Sequence, residues 1–251
     1  MRIALKLILW PIVCWSKSTR LFFRIIDQAV DLGASPACLV TEWRYYKRWK
    51  ASLDPAAAPV EARHPWLTFR AIDRLADFAK PGCQVFEWGG GGSSLFFIDR
   101  GARVITVEHD RTWFELLTVK MQGATAWSGR LILPEVRTPA SPCDPSDPAG
   151  YGTSDEQLKD FDFKSYARSI LDHPDESFDV VCVDGRSRPA CLAHSRGKVR
   201  RGGLLVLDNA ERETYGRAMA LCRDGFVILL DAPGSVPSCR WPSRTQIWKK
   251  L

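Results

Sequence analysis

The sequence predicts an α/β protein with a doubly wound, mostly parallel sheet of seven strands, the last of them reversed. Two continuous apolar runs, 180–183 and 204–207, are typical of strands that helices cover on both faces. A glycine cluster at 89–92 follows another predicted strand, and segments with helical periodicity separate the strands. Ligands of such sheets bind beyond the carboxyl ends of the strands, so we expect the functional site at that edge.

The first strand–helix–strand unit runs from 83 to 108. A strand at 83–88 leads into the glycine turn, a helix from Ser93 to Arg100 and a second strand at 103–108. The missing Cβ atoms let backbone amides approach a ligand, and the helix N-terminus favours an anion there. Glu108, which ends the second strand, is placed to accept hydrogen bonds from two ribose hydroxyls. We therefore predict a nucleotide-like ligand, the alternative being a tight turn without a ligand.

Apolar periodicity and turn residues predict the other elements. A helix at 66–80 precedes the first strand, and Asp110 caps the helix after the second. The remaining elements are a strand at 130–136, a short helix near 163–171, a strand at 178–183, a helix at 189–199, a strand at 204–207, a helix at 211–222 and strands at 226–230 and 245–248. The prolines of 138–151 exclude regular structure, which indicates a lid, a binding loop or a disordered segment.

The formal net charge of +6 belongs to the N-terminal segment. Residues 1–50 hold nine of the 35 Lys and Arg and three of the 29 acids, so the remaining residues hold 26 of each. The apolar run 3–15 is shorter than the roughly 20 residues that span a bilayer, and no good cleavage site follows it. An apolar stripe from Leu21 to Val30 predicts an amphipathic helix, and a basic–aromatic cluster follows at 43–50.

Three interpretations of residues 1–50 remain open. The segment contacts an anionic membrane peripherally, packs on the following domain or mediates oligomers, or binds nucleic acid, which is unlikely because no recognised module surrounds it. We divide the chain into this helical segment, a proline-rich linker at 51–63 and an α/β domain at 64–251. The eight cysteines form no C-x-x-C and no zinc-like spacing, which favours a reducing compartment and a cytoplasmic location, peripheral at the membrane in the first interpretation.

The ordered motifs of residues 65–251 resemble those of class I S-adenosylmethionine-dependent methyltransferases, which have a Rossmann-like fold. The sequence Glu-Trp-Gly-Gly-Gly-Gly-Ser at 87–93 is similar to that family's E-x-G-x-G-x-S turn, and Glu108 matches its ribose-binding acid. Val-Asp-Gly at 183–185, the Gly-Gly at 202–203 and the hairpin 226–248 resemble its later strand motifs. The resemblance implies S-adenosyl-L-methionine as the cofactor, with these cofactor-binding residues: Glu87, Gly89, Gly91, Ser93, Glu108 and His109.

Asp184 and Asp208 follow strands that we expect to be neighbours, about 4.8 Å apart. With Asn209, these oxygens suit a divalent cation, and the pattern resembles the D…DN of catechol-type O-methyltransferases. Ser187 stands where that family has a lysine; the flanking Arg186 and Arg188 suit clamping of a carboxylate or phosphate. In the alternative without a metal, Asp184 bonds the cofactor and Asp208-Asn209 caps a helix.

These inferences predict a transferase that moves a methyl group from S-adenosyl-L-methionine to the oxygen of a small or glycan-like, anionic acceptor. Its catalytic residues are Asp184, Arg186, Arg188 and Asp208. One alternative is a non-catalytic, membrane-associated binding or scaffold protein that keeps the fold. The other is an NAD-type dinucleotide-binding enzyme, which Ser94 at the third glycine position of G-x-G-x-x-G disfavours.

Overall fold

The computed structural model describes residues 16–35, 37–54, 58–138 and 144–251. Its strands are β1 (Gln84–Trp88), β2 (Arg103–Glu108), β3 (Trp127–Leu131), β4 (Glu135–Val136), β5 (Phe161–Asp162), β6 (Phe178–Val183), β7 (Val199–Leu207), β8 (Phe226–Gly234) and β9 (Ser243–Lys250). Seven of them form one sheet in the order β3-β2-β1-β6-β7-β9-β8, and β9 alone among these seven runs against the others. The predicted fold class is confirmed.

Helices connect and cover these strands. They are α1 (Lys17–Asp31), α2 (Cys38–Glu42), α3 (Tyr46–Ser52), α4 (Phe69–Phe78), α5 (Gly92–Ile98), α6 (Arg111–Lys120), α7 (Lys164–Arg168), α8 (Arg188–Ser195) and α9 (Gly216–Leu221). The Asp110 side chain caps α6 as predicted, accepting a hydrogen bond from Trp113 N at 2.9 Å. Buried apolar side chains on both faces of the sheet belong to two separate clusters, as a doubly wound sheet requires.

The strand predicted at 130–136 is wrong in its position. The sheet strand β3 runs from Trp127 to Leu131, while Glu135 and Val136 pair with β5 in a separate two-stranded sheet. Pro134 lies between the two strands and has no N–H with which to continue the sheet ladder. The chain therefore leaves the sheet at this point.

The strand register brings the predicted site residues to one edge. Trp88 pairs with Val107 of β2 and with Val183 of β6, and Val183 pairs with Leu207 of β7. The residues that follow these strand ends therefore lie side by side at the carboxyl edge of the sheet: Gly89, Glu108, Asp184 and Asp208.

The N-terminal helices pack on the sheet. α1 buries the stripe of Phe22, Ile25, Ile26 and Ala29, most of which share a core with Val206 and Ile247. Tyr45 is 2% exposed and Trp49 is 0% exposed, so neither of these two aromatic side chains of the 43–50 cluster is available to a membrane surface. Within the described residues, no helix is long and apolar enough to cross a bilayer. The apolar run 3–15 lies outside them.

Long-range hydrogen bonds fasten these helices to the last strands. Trp49 Nε1 donates to the carbonyl of Cys239 at 2.7 Å. The buried Glu42 carboxylate accepts from Ser235 N at 3.1 Å and Ser235 Oγ at 2.9 Å. Burial raises the pKa of Glu42, and the bonds from Ser235 oppose that rise. The first described helices are thus part of the same core as the end of the chain.

Residues 51–63, predicted as a linker, are described at both ends; 55–57 lie outside the described residues. Helix α3 continues to Ser52. Val60 packs against Leu95 and Leu117, and Glu61 pairs with Lys120 of α6 at 2.7 Å. The second half of the segment therefore lies against the helices that follow the glycine turn and β2.

Candidate functional site at the carboxyl edge

The glycine turn packs directly against the end of β6. Gly89 has a φ of 83°, and a Cβ there would lie 2.9 Å from backbone atoms of Asp184 and Gly185. Gly91 N donates to Ser94 Oγ at 3.1 Å, and Trp113 Nε1 donates to the Gly90 carbonyl at 2.7 Å. Glycine is thus required at Gly89 by both conformation and space, and the turn is held in one shape.

Glu87 supports this turn from below. Its carboxylate accepts hydrogen bonds from Ser93 Oγ at 2.7 Å, from Thr106 Oγ1 at 2.7 Å and from the Ser94 hydroxyl. Burial raises the pKa of Glu87, and these three donors oppose the rise. The residue is 0% exposed and both of its carboxylate oxygens already accept hydrogen bonds from the protein, so the carboxylate faces the turn and not a ligand. The prediction that Glu87 contacts the cofactor is wrong; it positions the turn.

The two carboxylate oxygens of Glu108 differ in their hydrogen bonds to the protein. Oε1 accepts from His109 N at 2.7 Å and Asp110 N at 3.0 Å, which fixes the side chain at the end of β2. Oε2 accepts no hydrogen bond from the described part of the chain. His109 Nδ1 lies 2.7 Å from Oε1 without hydrogen-bond alignment, and its ring contacts Phe163 and Tyr166 edge-on. Glu108 is only 3% exposed, but Oε2 is the oxygen of its carboxylate left without a donor from the described residues, so a ligand hydroxyl would bind there.

Arg188 occupies the space between the two predicted catalytic aspartates. Its guanidinium donates to the carbonyls of Gly185 at 2.9 Å, Asp208 at 2.6 Å and Asp184 at 3.0 Å. It also bonds Asp184 Oδ1 at 2.9 Å and lies 3.8 Å from Asp208 Oδ2. The Arg188 side chain is 7% exposed, so the predicted role of clamping an acceptor is wrong. It joins the ends of β6 and β7.

The two carboxylates differ in exposure. The Asp208 side chain is 6% exposed and accepts from Thr245 Oγ1 at 3.0 Å, whereas the Asp184 side chain is 27% exposed. Burial raises the pKa of Asp208, and the nearby Asp184 raises it further, against the effect of Arg188. Burial likewise raises the pKa of Asp184, opposed mainly by Arg188. Asp184 is therefore the carboxylate of the pair that an acceptor can reach.

The residues at this edge do not fit the predicted divalent cation. The Arg188 guanidinium already pairs with Asp184 at 2.9 Å and lies 3.8 Å from Asp208. Asn209 donates to Ser243 Oγ at 2.9 Å and accepts from Arg212 at 3.2 Å, so both ends of its amide are engaged. A cation here would have to displace a buried arginine. Within the described residues, no group of three or more His, Cys, Asp or Glu side chains is placed to hold a metal ion.

A cavity of about 410 Å³ lies against the loop that begins with Gly185, the residue after Asp184. One wall is the loop after β6 with the first turn of α8, and the other is the segment around 145–155. The lining residues are Pro145, Gly152, Thr153, Ser154, Asp155, Gly185, Arg186, Ser187, Arg188, Pro189, Arg212 and Tyr215. The part of the proline-rich stretch from 144 to 150 forms turns, as predicted, and residues 139–143 lie outside the described residues.

The surroundings of several residues at the edge follow only from the structure. Tyr166 is fully buried, with its ring against His109 and its hydroxyl beside Gly185. Arg212 and Asp155 line the cavity from segments far apart in sequence. No local motif marks these residues, because only the tertiary fold brings them to the site.

Comparison with known proteins yields solved structures only; no family model and no curated protein matches the chain. TrmN from Thermus thermophilus shares 16% identity over 80% of this chain and 52% of its own, with a TM-score of 0.48; this chain thus spans about half its length. A methyltransferase-like protein from Silicibacter pomeroyi shares 19% sequence identity over 71% of this chain and 84% of its own, with a TM-score of 0.45. Fibrillarin from Aeropyrum pernix, solved with bound S-adenosyl-L-methionine, shares 16% over 68% of each chain, with a TM-score of 0.44.

Proposed function

We propose that this protein is an S-adenosyl-L-methionine-dependent methyltransferase. The observation that carries the proposal is the open Oε2 of Glu108 at the end of β2, beside the glycine turn of a sheet whose last strand is reversed. A ribose needs a fixed carboxylate at that place, and a charged ligand tail needs the backbone amides of the turn. Gly89, Gly91, Ser93 and His109 are the proposed neighbours of the cofactor.

The cofactor would supply an electrophilic methyl group on a sulfonium. The chain must then hold an acceptor oxygen in line with that group and take up its proton. Asp184 is the proposed base because its carboxylate is partly exposed and burial moves its pKa upwards, towards the range that suits a base near neutral pH. Asp208 and Arg188 are positioning residues that hold Asp184 at the edge.

Isothermal titration of the full chain with S-adenosylhomocysteine tests the cofactor site, with NAD as the competing ligand. We expect S-adenosylhomocysteine to bind, and Glu108→Ala to lower its affinity by about tenfold or more, since hydrogen bonds to a charged group are lost. Glu115→Ala, on the exposed face of α6, is the matched control and should bind as the parent does. Thermal unfolding of each variant establishes that the fold is kept. No binding at millimolar concentration, or tighter binding of NAD, contradicts the proposal.

We further propose O-methyl transfer to a small or glycan-like acceptor. The acceptor would enter through the cavity beside Asp184, whose walls are mainly polar side chains and backbone. Asp184→Asn should lower the methylation rate far more than it lowers affinity for S-adenosylhomocysteine. A variant with full methylation activity would show that Asp184 is not the base.

We propose that the protein is cytoplasmic and that residues 1–50 contact anionic membranes peripherally. The contact would use exposed basic side chains such as Lys47 and Lys50. The buried aromatic residues of the cluster are unable to contribute. Sedimentation with anionic liposomes, comparing the full chain with the Lys47→Glu/Lys50→Glu variant, tests this contact. Equal binding by both proteins argues against it.

A further inference from the structure

The cavity beside Asp184 presents hydrogen-bond donors to any occupant. Of the two first-turn residues of α8 that line it, Pro189 has no N–H, so the Arg188 backbone N–H is the helix-end donor at the cavity. The positive end of the helix dipole lies there as well. Three arginines and one aspartate, Asp155, are the charged residues among those that line it.

Ser187 provides an observation that is independent of the helix end. It is 3% exposed, lines the cavity, and its Oγ has no hydrogen-bond partner in the described part of the chain. Its φ of 49° and ψ of 40° are left-handed, a conformation that is unfavourable for a non-glycine residue. A buried hydroxyl without a partner is itself unfavourable, so a ligand oxygen would satisfy it.

Arg186 adds a second donor without a partner. Its Nη2 pairs with Asp155 at 3.0 Å, while its Nε is buried and has no partner in the part of the chain that the structure describes. Arg212 lines the same cavity and is exposed, with Nη1 bound to Tyr215 Oη at 3.1 Å and Nη2 bound to Asn209 Oδ1 at 3.2 Å. A guanidinium edge suits the paired oxygens of phosphate or carboxylate.

We propose that this cavity is a subsite for an oxyanion group, phosphate or carboxylate, on the methyl acceptor. Arg186, Ser187, Arg212 and the first turn of α8 would bind the group, which places the neighbouring part of the acceptor beside Asp184. The inference rests on the proposed methyltransferase function and adds the charge of the substrate to it. Arg186 and Arg212 would then bind the anion, because the Arg188 guanidinium already donates to the carbonyls at the strand ends.

Titration of the full chain with inorganic phosphate and, separately, with acetate tests the subsite. We expect saturable binding of at least one probe, and the tighter probe identifies the group. The Arg186→Gln/Arg212→Gln variant should lose about tenfold or more in affinity, and Ser187→Ala should lose less. Arg103→Gln, an exposed arginine at the amino end of β2, is the control and should keep the parent affinity.

The proposal is overturned if neither probe saturates below about 50 mM, or if Arg103→Gln weakens binding as much as the cavity variants do. Titration of the same proteins with S-adenosylhomocysteine separates the two proposals. Cofactor binding with no oxyanion binding leaves the methyltransferase proposal standing and removes the subsite. Oxyanion binding that depends on Arg186, with no cofactor binding, retains an anion site but removes its assignment to a methyl acceptor.

Discussion

The carboxylates at the two halves of the sheet edge occupy different environments. Glu108, the last residue of β2, accepts two backbone hydrogen bonds through Oε1, and its Oε2 has no donor among the described residues. Asp208, after β7, is enclosed by Arg188 and Thr245, and Asp184 shares the same arginine. In the sequence all three look alike, as acids that end apolar strands. An acid at the end of a strand can therefore bind a ligand only where the fold leaves one of its oxygens without a hydrogen-bond donor from the protein.

The largest expected effect on stability comes from replacing Arg188, which binds Asp184 and Asp208 at the ends of β6 and β7. Arg188→Met leaves two carboxylates without their buried cation and three carbonyls without a donor. We expect the free energy of unfolding to fall by about 3–5 kcal/mol. Urea unfolding measures it. A loss below about 1 kcal/mol would show that Arg188 does not stabilise the ends of β6 and β7.

Two glycines of the turn should respond differently to the same change. Gly89→Ala places a Cβ against the end of β6 in a left-handed conformation and should cost about 1–3 kcal/mol of stability. Gly91 is extended, with φ of 165°, and its Cβ would meet Trp113 at 3.4 Å, so Gly91→Ala should cost less than about 1 kcal/mol. Equal losses in urea unfolding would contradict this reading of the turn.

The stability of the fold should depend on pH through Asp208. Because the pKa of Asp208 is raised in the folded state, the folded protein retains a proton that the unfolded chain loses. Stability should therefore fall as pH rises from the ordinary aspartate pKa through the raised folded value, by at most about 1.4 kcal/mol per pH unit for one proton. Asp208→Asn should flatten this part of the curve in urea unfolding between pH 4 and 8. A parallel curve for the variant would contradict the raised pKa.

The smallest effect on stability is expected at the cavity. The Arg186 side chain is 34% exposed and pairs with a partly exposed Asp155, so Arg186→Gln should change the unfolding free energy by less than about 0.5 kcal/mol. Its effect belongs to ligand binding instead. A stability loss close to that of Arg188→Met would show that both arginines are structural.

Sequence reasoning succeeded where local pattern decides the structure. The strands at 103–108 and 178–183 were predicted with the bounds that the structure has, because each is a mostly apolar run that ends at an acidic residue. The edge residues followed from the topology of parallel sheets. The direction of the Arg188 side chain could not be predicted, since it depends on carbonyls that three segments bring together. The same holds for Glu87, whose partners include Thr106 on the neighbouring strand.

The packing of α1 and α3 on the last strands has a consequence for how the chain folds during synthesis. Trp49 and Glu42 find their partners, Cys239 and Ser235, 190 and 193 residues later. At about 5–20 residues per second, the ribosome needs roughly 10–40 s to make that interval. For that time the apolar faces of the first helices lack the surface that buries them. The protein therefore depends on its final strands to protect its first helices, and truncation near Ser235 should cause aggregation.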